Sequence, residues 1–179
     1  MDNDTLYFSE AQPFRMWWVW LIVLGISFFF VGAFVRQVLL GYPVGSNPSS
    51  DGVLIVGALL SLVLVALFWF MRLETHIGSE GIYTRFFSFI PFKKRSWGSI
   101  QELRIRRYSP IGEYGGWGIR GFGSNRALNV SGNIGLQIWT VSGNRLLIGT
   151  KQPQAMDEAL RQIPILSGVY LPLSPDFNE

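Results

Sequence analysis

The sequence contains no cysteine and only one histidine, His76, among its 179 residues. Without cysteine the chain cannot form disulfides, bind a metal through thiolates or use a thiol nucleophile, and this composition suits a reducing compartment. A single histidine has no second His or Cys with which to hold zinc. No G-x-S-x-G motif is present either, so we expect a protein that is not an enzyme and that has no metal, cofactor or small-molecule substrate.

Charged residues are also scarce, at 15% of the sequence against roughly 25% in soluble domains. Their absence is concentrated in two runs, from Met16 to Val35 and from Val53 to Met71. At 1.5 Å per residue, a helix of about twenty residues spans the roughly 30 Å hydrocarbon core of a bilayer. The sequence therefore predicts a transmembrane helical hairpin over residues 16–72, with helices at about 16–35 and 53–71.

The distribution of basic residues predicts the orientation of this hairpin. The connecting segment 37–52 contains no Lys or Arg, whereas the chain after Met71 contains thirteen against eight acidic residues. By the positive-inside rule, residues 37–52 form an outer loop, and both termini, including an N-terminal segment 1–15, are cytoplasmic. The first run is longer than the core of a signal peptide and follows an acidic segment, so we expect it to remain attached.

Small residues in the two runs predict where the helices touch, because they let helix backbones approach closely in lipid. Gly25 and Gly32 are seven residues apart and share a face of the first helix. Gly57 and Ser61 form a small-xxx-small pair on the second helix. We expect these four positions to form the helix–helix contact.

Residues 73–163 change from helical to alternating periodicity, which predicts strands. The run Leu103-Arg104-Ile105-Arg106, for example, alternates apolar and basic residues. Pro153 suits the first turn of a closing helix over about 153–163. The expected architecture is an all-β domain of about seven antiparallel strands with one C-terminal helix, followed by an apolar extended tail, residues 164–179.

Several short motifs in this region resemble those of bacterial pleckstrin-homology-like (PH-like) domain proteins. They are Trp97-Gly98-Ser99-Ile100, Glu113-Tyr114-Gly115-Gly116-Trp117-Gly118-Ile119-Arg120, Asn129-Val130-Ser131-Gly132-Asn133 and Leu147-Ile148-Gly149-Thr150. The resemblance covers roughly residues 73–163, and two transmembrane helices ahead of such a domain are a familiar layout in that family. It implies a seven-stranded bent sheet capped by a C-terminal helix, no catalytic activity, and a location in the inner membrane of a bacterium. Some members resemble oligomerisation modules or assembly factors of photosynthetic membrane complexes, which is an analogy at the level of fold.

The stretch from Gly116 to Gly121 formally matches the G-x-G-x-x-G dinucleotide fingerprint. That fingerprint needs a preceding strand, a following helix and an acidic residue about twenty positions further on. Here the following residues have an extended pattern, and no acid lies between Glu113 and Asp157. We therefore interpret the stretch as a glycine-rich strand pair with close backbone approach.

Basic residues provide one candidate site, for anionic lipid headgroups. Each basic residue near an anionic membrane contributes about 1 kcal/mol, although the same residues satisfy the positive-inside rule whatever they bind. Nucleic acid is not needed to explain the net charge of +3, because a basic domain beside anionic lipid is electrostatically favourable. The candidate headgroup residues are Lys93, Lys94, Arg95, Arg104, Arg106 and Arg107.

Aromatic and apolar residues provide a second candidate, a contact with partner proteins. The tail could wrap around its own domain or dock on a partner as an extended strand. The candidate contact residues are Trp117, Arg120, Phe122, Trp139, Val169, Tyr170 and Leu171. The leading interpretation is a non-enzymatic membrane-anchored module for protein assembly, as a homo-oligomer or as an accessory subunit of a larger, photosynthetic or respiratory, membrane complex. The alternative is binding of anionic membrane lipid by the basic residues.

Overall fold

The computed structural model describes residues 5–173, and the chain divides into two compact units. The helical unit runs from Phe14 to Met71. The β unit combines the segment that ends at Pro13 with the chain from Arg72 onward. The N-terminal segment 1–15, in which the sequence predicted no strand, therefore supplies part of the β unit.

The helical unit consists of two long apolar helices. Helix α1 (Trp17–Phe34) continues into a short π-helix (Val35–Leu39), and α2 (Asp51–Phe70) follows. Both are long and apolar enough to cross a membrane: Trp17–Leu39 has 23 residues and a mean hydropathy of 2.4, and Asp51–Phe70 has 20 residues and a mean hydropathy of 2.8. Two apolar helices are thus present where the uncharged runs predicted them.

The helix ends differ from the predicted bounds by a few residues. The first helical segment extends to Leu39 and ends before Gly41, whose φ of 74° is a conformation that favours glycine. The second begins at Asp51, where a negative charge suits the N-terminus of a helix. The Gln37 side-chain amide donates to the Ser49 carbonyl at 2.7 Å and to the Asp51 carboxylate at 2.9 Å. These hydrogen bonds close the connecting segment onto the helix ends.

Helices α1 and α2 meet along a line of mostly small residues. At Gly57 an added Cβ would lie only 2.3 Å from the Phe30 ring, so the ring occupies the space that glycine leaves. Ser61 is buried, and its hydroxyl donates to the Ala58 carbonyl at 2.8 Å. The buried residues of the two helices are Val23, Ser27, Ala33, Leu54, Ala58 and Ser61.

Gly25 and Gly32, which the sequence also predicted to lie in the helix contact, lie elsewhere. Both are exposed, and a Cβ added to either would have no neighbour within 4 Å. The buried face of α1 instead carries Val23, Ser27 and Ala33. Small residues occur on more than one face of this helix, so their spacing alone did not identify the face that packs.

The β unit contains two sheets with both antiparallel and parallel strand pairs, which corrects the expected set of about seven antiparallel strands. The described residues form ten strands: β1 (Leu6–Pro13), β2 (Met71–Gly78), β3 (Gly81–Phe87), β4 (Lys93–Ser96), β5 (Ile100–Arg107), β6 (Gly118–Arg120), β7 (Asn125–Asn129), β8 (Ile134–Thr140), β9 (Arg145–Gly149) and β10 (Tyr170–Leu171). The first sheet has the order β1-β2-β3-β4, and the second has the order β10-β5-β8-β9-β7-β6. Strand β7 is parallel to β9, and β10 is parallel to β5. Strands β7 and β8 are consecutive in the chain but are not neighbours in the sheet. Strand β9 lies between them, antiparallel to β8 and therefore parallel to β7.

The interior of the β unit follows from the alternation of its strands. Leu103 and Ile105 of β5 are buried while Arg104 between them is exposed, as the alternating pattern predicts. Helix α4 (Pro153–Arg161) adds Met156 and Leu160, whose side chains are fully buried. This helix is the predicted closing helix, and its buried side carries the apolar residues at helical spacing.

Strand β1 was not predicted because polar residues occupy its inward positions. Glu10 and Gln12 are buried, and their partners lie far along the chain. The Glu10 carboxylate accepts hydrogen bonds from the Thr150 hydroxyl at 2.7 Å and from the Lys151 backbone N–H at 2.8 Å. The Gln12 amide donates to the Gly149 carbonyl at 2.8 Å. These bonds tie the N-terminal segment to the chain that enters α4.

Strands β1 and β2 are antiparallel neighbours, and Pro13 is paired with Arg72. The chain therefore leaves the β unit at Pro13 and returns to it at the adjacent residue of the same sheet. The whole helical unit is an insertion between two paired strands. Both of its ends are consequently joined to neighbouring residues of one sheet.

The described part of the tail packs on its own domain, which decides between the two alternatives for these residues. A 3₁₀ turn (Pro164–Leu166) follows α4, and β10 then pairs with β5. The Tyr170 hydroxyl donates to the Asp157 carboxylate, and the Leu173 backbone N–H donates to the same carboxylate at 3.1 Å. The rest of the predicted tail, residues 174–179, lies outside the described residues.

Candidate anion-binding groove

Strand pairing places a set of polar side chains on the outer face of the second sheet. Arg104 of β5 lies directly opposite Gln137 of β8, and Trp139 of β8 lies directly opposite Arg145 of β9. Residues that face each other across strands, or that lie two apart on one strand, share a face of the sheet. Arg104, Gln137, Trp139 and Arg145 therefore lie together on the face opposite to the buried Leu103.

A short helix covers one part of this outer face. Helix α3 (Pro110–Tyr114) begins after Ser109, whose hydroxyl accepts a hydrogen bond from the Gly112 backbone N–H at 3.1 Å. It ends at Gly115, which has a φ of 72° and so a backbone conformation that favours glycine. The helix brings the Tyr114 ring over the sheet. There the ring belongs to a small buried cluster of Tyr108, Tyr114, Ala127 and Leu147.

The uncovered part of the face is a groove of about 310 Å³ beside this cluster. Three arginines, one glutamate and two aromatic residues dominate its lining. The lining residues are Arg104, Arg106, Glu113, Tyr114, Asn125, Gln137, Trp139 and Arg145. Cationic, aromatic and amide groups thus converge on one concave surface.

One of the three arginines is paired with the only carboxylate of this lining. The Arg106 guanidinium donates to both Glu113 oxygens, at 3.2 and 2.6 Å, and Glu113 also accepts from the Ser109 backbone N–H at 2.8 Å. The hydrogen bond with Arg106 and that with Ser109 outweigh partial burial and lower the pKa of Glu113. This carboxylate is therefore held in its ionised form.

The other two arginines lack such a partner. Arg104 lies over the Trp139 ring, with its guanidinium carbon 5.5 Å from the ring centroid, a cation–π contact. Within residues 5–173, neither Arg104 nor Arg145 forms an ion pair with a carboxylate. The groove lining therefore carries a formal charge of 3 − 1 = +2.

A buried amide completes the floor of the groove. Gln137 is only 2% exposed, and its side-chain oxygen accepts from Arg106 Nε at 3.3 Å, from Arg106 Nη2 at 3.0 Å and from the Tyr114 hydroxyl at 3.3 Å. Its side-chain nitrogen has no acceptor in the described part of the chain. Buried polar groups in folded proteins nearly always have a partner, so this N–H donor has capacity for a further acceptor.

The structure separates the six candidate headgroup residues. Lys93, Lys94 and Arg95 lie on β4 in the first sheet, where Lys94 is paired with Glu80 and Arg95 donates to the Thr84 hydroxyl at 3.2 Å. Burial, together with the nearby Arg126, lowers the pKa of Arg95. Two residues of the set, Arg104 and Arg106, line the groove, whereas Arg107 of the same strand does not.

Arg145 is one of five groove residues that sequence reasoning did not assign to a site, with Glu113, Tyr114, Asn125 and Gln137. It follows the turn Ser142-Gly143-Asn144 and begins β9. A hairpin signal of that kind could have placed Arg145 opposite Trp139. Placing Arg104 beside Trp139 depends in addition on the pairing of β5 with β8, and these strands are some thirty residues apart along the chain.

The candidate partner-contact residues fall into different environments. Trp139 lines the groove. Trp117 is half-buried and its indole N–H donates to the Gly132 carbonyl at 3.1 Å, while Arg120 Nε donates to the Trp117 carbonyl at 2.8 Å. Phe122 is 96% exposed. In the tail, Val169 is half-buried, Tyr170 is buried against its own domain and Leu171 is exposed.

The G-x-G-x-x-G stretch includes β6 and its flanking turns rather than the start of a helix. At Gly121 the φ is 82°, and an added Cβ would lie 2.1 Å from the Asn125 carbonyl oxygen. A side chain there would therefore collide with the neighbouring strand. The glycine serves close backbone approach, in keeping with the interpretation from the sequence.

The single histidine lies outside the groove, on the first sheet. The centroid of its ring is 4.7 Å from that of the Phe92 ring, and the Arg85 guanidinium carbon lies 4.4 Å from the same Phe92 centroid. Burial, the largest cause, lowers the pKa of His76. Between residues 5 and 173, no group of three His, Asp or Glu residues could hold a metal ion.

A scan against protein-family models finds no match for this chain, and searches of curated proteins and of solved structures also find no significant match.

Proposed function

We propose that this chain is a two-span protein of the bacterial inner membrane, with a cytoplasmic β unit of PH-like fold, and that it is a non-enzymatic assembly module. It joins copies of itself, or serves as an accessory subunit of a larger membrane complex such as a photosynthetic or respiratory one. The observation that carries this proposal is the groove of the β unit. Arginine, tryptophan and tyrosine converge there, and these are the residue types enriched at the energetic centres of protein interfaces.

The helical unit supports the membrane part of the proposal. Its helices are long and apolar, and their large apolar side chains are mostly exposed. Because Pro13 and Arg72 are paired in one sheet, the chain must enter and leave the helices on the same side. Two spans satisfy that requirement, and the excess of basic residues after Met71 supports a cytoplasmic position for that side.

The test is isolation of the tagged, gently solubilised chain from native membranes, followed by sizing and mass spectrometry. We expect other membrane subunits in a fixed ratio to the chain, or a closed oligomer of the chain itself. Recovery of the chain only as a monomer, under several mild detergents, would contradict the assembly function.

A second candidate function is binding of anionic lipid by the exposed basic residues of β4. Lys93 and Lys94 have exposed side chains on one short strand, and this favours contact with a charged membrane surface. The full chain, reconstituted in nanodiscs with and without phosphatidylglycerol, should retain this lipid in native mass spectrometry. Charge reversal of Lys93, Lys94 and Arg95 should abolish that retention, and the retention should decrease as salt increases.

A further inference from the structure

We propose that the groove on the outer face of the second sheet binds a carboxylate from an acidic segment of a partner protein. The carboxylate enters between Arg104 and Arg145 and lies over the buried amide of Gln137. This inference rests on the proposed assembly function and specifies the chemistry of the partner.

Charge is the first reason. Three arginines line the groove and only one carboxylate, Glu113, neutralises them. Glu113 is already engaged by Arg106, so the charges of Arg104 and Arg145 are uncompensated in the described structure. These two residues lie on the strands that flank β8, and a ligand resting on β8 would have a guanidinium on either side. Guanidinium forks match the geometry of a carboxylate.

The buried amide of Gln137 is the second and independent reason. Its oxygen is occupied by Arg106 and Tyr114, and its nitrogen lacks an acceptor. The dipole of this unpartnered N–H adds to the positive potential at the floor of the groove. Both the arginines and the amide therefore favour the same kind of ligand atom, an anionic or polar oxygen.

The surroundings of the groove favour a protein segment over a lipid headgroup. A second hollow, of about 520 Å³, shares Tyr114 with the groove, and its lining includes the exposed apolar residues Ile119 and Phe122 together with Arg120 and Arg126. A peptide can place an acidic side chain in the groove and a neighbouring apolar side chain in this hollow. The acyl chains of a bilayer lipid lie in the hydrocarbon core, so a headgroup phosphate in the groove would leave this hollow unfilled. Glu113 also shows that the groove accommodates a protein carboxylate with two-point contact to an arginine.

The first experiment compares charge reversals in the full-length chain isolated from native membranes. Arg145→Glu should reduce the amount of co-purified partner by more than about tenfold, since it replaces attraction of a carboxylate by repulsion. Lys151→Glu is the matched control, because it makes the same change in charge on an exposed residue outside the groove. The control should retain the partner at the wild-type ratio.

The second experiment captures the carboxylate itself. Arg145→Lys introduces a primary amine at the groove, and a carbodiimide then forms an amide bond between this amine and an adjacent carboxylate with release of the urea by-product. We expect mass spectrometry to find residue 145 joined to an Asp, a Glu or a terminal carboxylate of a second polypeptide. Replacing that partner residue by Arg should then restore binding to Arg145→Glu.

The outcomes separate this inference from the function on which it rests. If the wild-type chain brings down no partner and forms no oligomer, the assembly function itself fails. If partners co-purify equally with the wild type and Arg145→Glu, the assembly function stands and the groove is not the contact. Coupling of residue 145 only to Glu113, or loss of bound phosphatidylglycerol rather than protein in Arg145→Glu, would also overturn the inference.

Discussion

The helical unit and the β unit distribute polar and apolar side chains in opposite ways. In the β unit, Leu103 and Leu136 are fully buried while Arg104 is exposed. In the helical unit, Phe28 is 83% exposed while Ser27 and other small residues are buried. Water drives apolar side chains inward, whereas lipid provides no such force, so helices in lipid associate through small residues. The opposite patterns are those expected of units in two different solvents, as the proposed function requires.

The two units also treat buried polar groups differently. In the β unit the Glu10 carboxylate is buried and takes partners from a segment some 140 residues away. In the helical unit the Ser61 hydroxyl bonds to a carbonyl three residues earlier in its own helix. Long-range polar bonds thus help to specify the β unit, whereas the helices satisfy their polar groups locally. Four changes test this comparison, in decreasing order of expected effect.

The largest effect is expected from a charge on the outer surface of α2. Leu60 is 64% exposed near the middle of this helix, and Leu60→Asp should cost about 3 kcal/mol of membrane insertion. The measurement is the fraction of chain that resists alkaline extraction from membranes. Phe122→Asp is the matched control, because Phe122 is an exposed apolar residue of the β unit and should tolerate the charge. Normal insertion of both variants would show that the surface of α2 does not face lipid.

The second effect concerns the buried carboxylate of Glu10 in the β unit. Glu10→Ala leaves the Thr150 hydroxyl and the Lys151 N–H without their acceptor, so it should lower the free energy of unfolding by about 2 kcal/mol. Ser9→Ala changes an exposed neighbour on the same strand and should have little effect. Denaturant unfolding of the full chain in detergent measures both, and hydrogen exchange at Lys151 locates the loss. Equal stability of the two variants would mean that β1 is not held by this carboxylate.

The third effect tests the contact between the helices. Gly57→Val forces a side chain into the Phe30 ring and should destabilise the helical unit by about 1–2 kcal/mol. Gly25→Val is the control, since a Cβ there has no neighbour within 4 Å. Thermal unfolding in mild detergent should distinguish the two. A larger loss from Gly25→Val would place the contact on the face that the sequence predicted.

The smallest effect is a dependence of β-unit stability on pH. Burial opposes ionisation of Asp157, but hydrogen bonds from Tyr170, Leu173 and Arg161 outweigh it and lower its pKa. A carboxylate with a lower pKa in the folded state stabilises the protein above the pKa of the unfolded chain. That contribution is lost as the pH falls below about 4 and the carboxylate becomes protonated.

The variants Asp157→Asn and Glu158→Gln isolate this contribution. Asp157→Asn should be less stable than the wild type at neutral pH and should lose less stability on acidification. Glu158→Gln alters an exposed neighbour on α4 and should follow the wild-type pH profile. Denaturation midpoints from pH 7 down to about pH 3 provide the measurement. Parallel profiles for the wild type and Asp157→Asn would exclude this carboxylate as the cause.

Three of the eight residues that line the groove, Arg104, Arg106 and Trp139, were candidate site residues from the sequence, but their assembly was not predicted. The alternation around Arg104 and Arg106 correctly placed both side chains on an outer face. Their grouping with Lys93 to Arg95 was inferred from closeness in the chain, and the structure places these residues in another sheet. The role of Arg145 required the register of three strands. Side-chain direction within one strand is a local property, whereas neighbourhood across strands is decided by pairing.

The sequence by itself determined the two apolar helices, the alternating strands and helix α4. Each of these follows from the length or period of a continuous stretch, because the side chains that share one face of a helix or strand lie only a few positions apart in the chain. Only the tertiary structure decided that β1 joins β2 across the helical unit, that two strand pairs are parallel, and that Arg104, Gln137 and Arg145 share one groove. These arrangements depend on hydrogen bonds between segments up to 140 residues apart, and such partners are chosen by the packing of the whole β unit rather than by any local pattern.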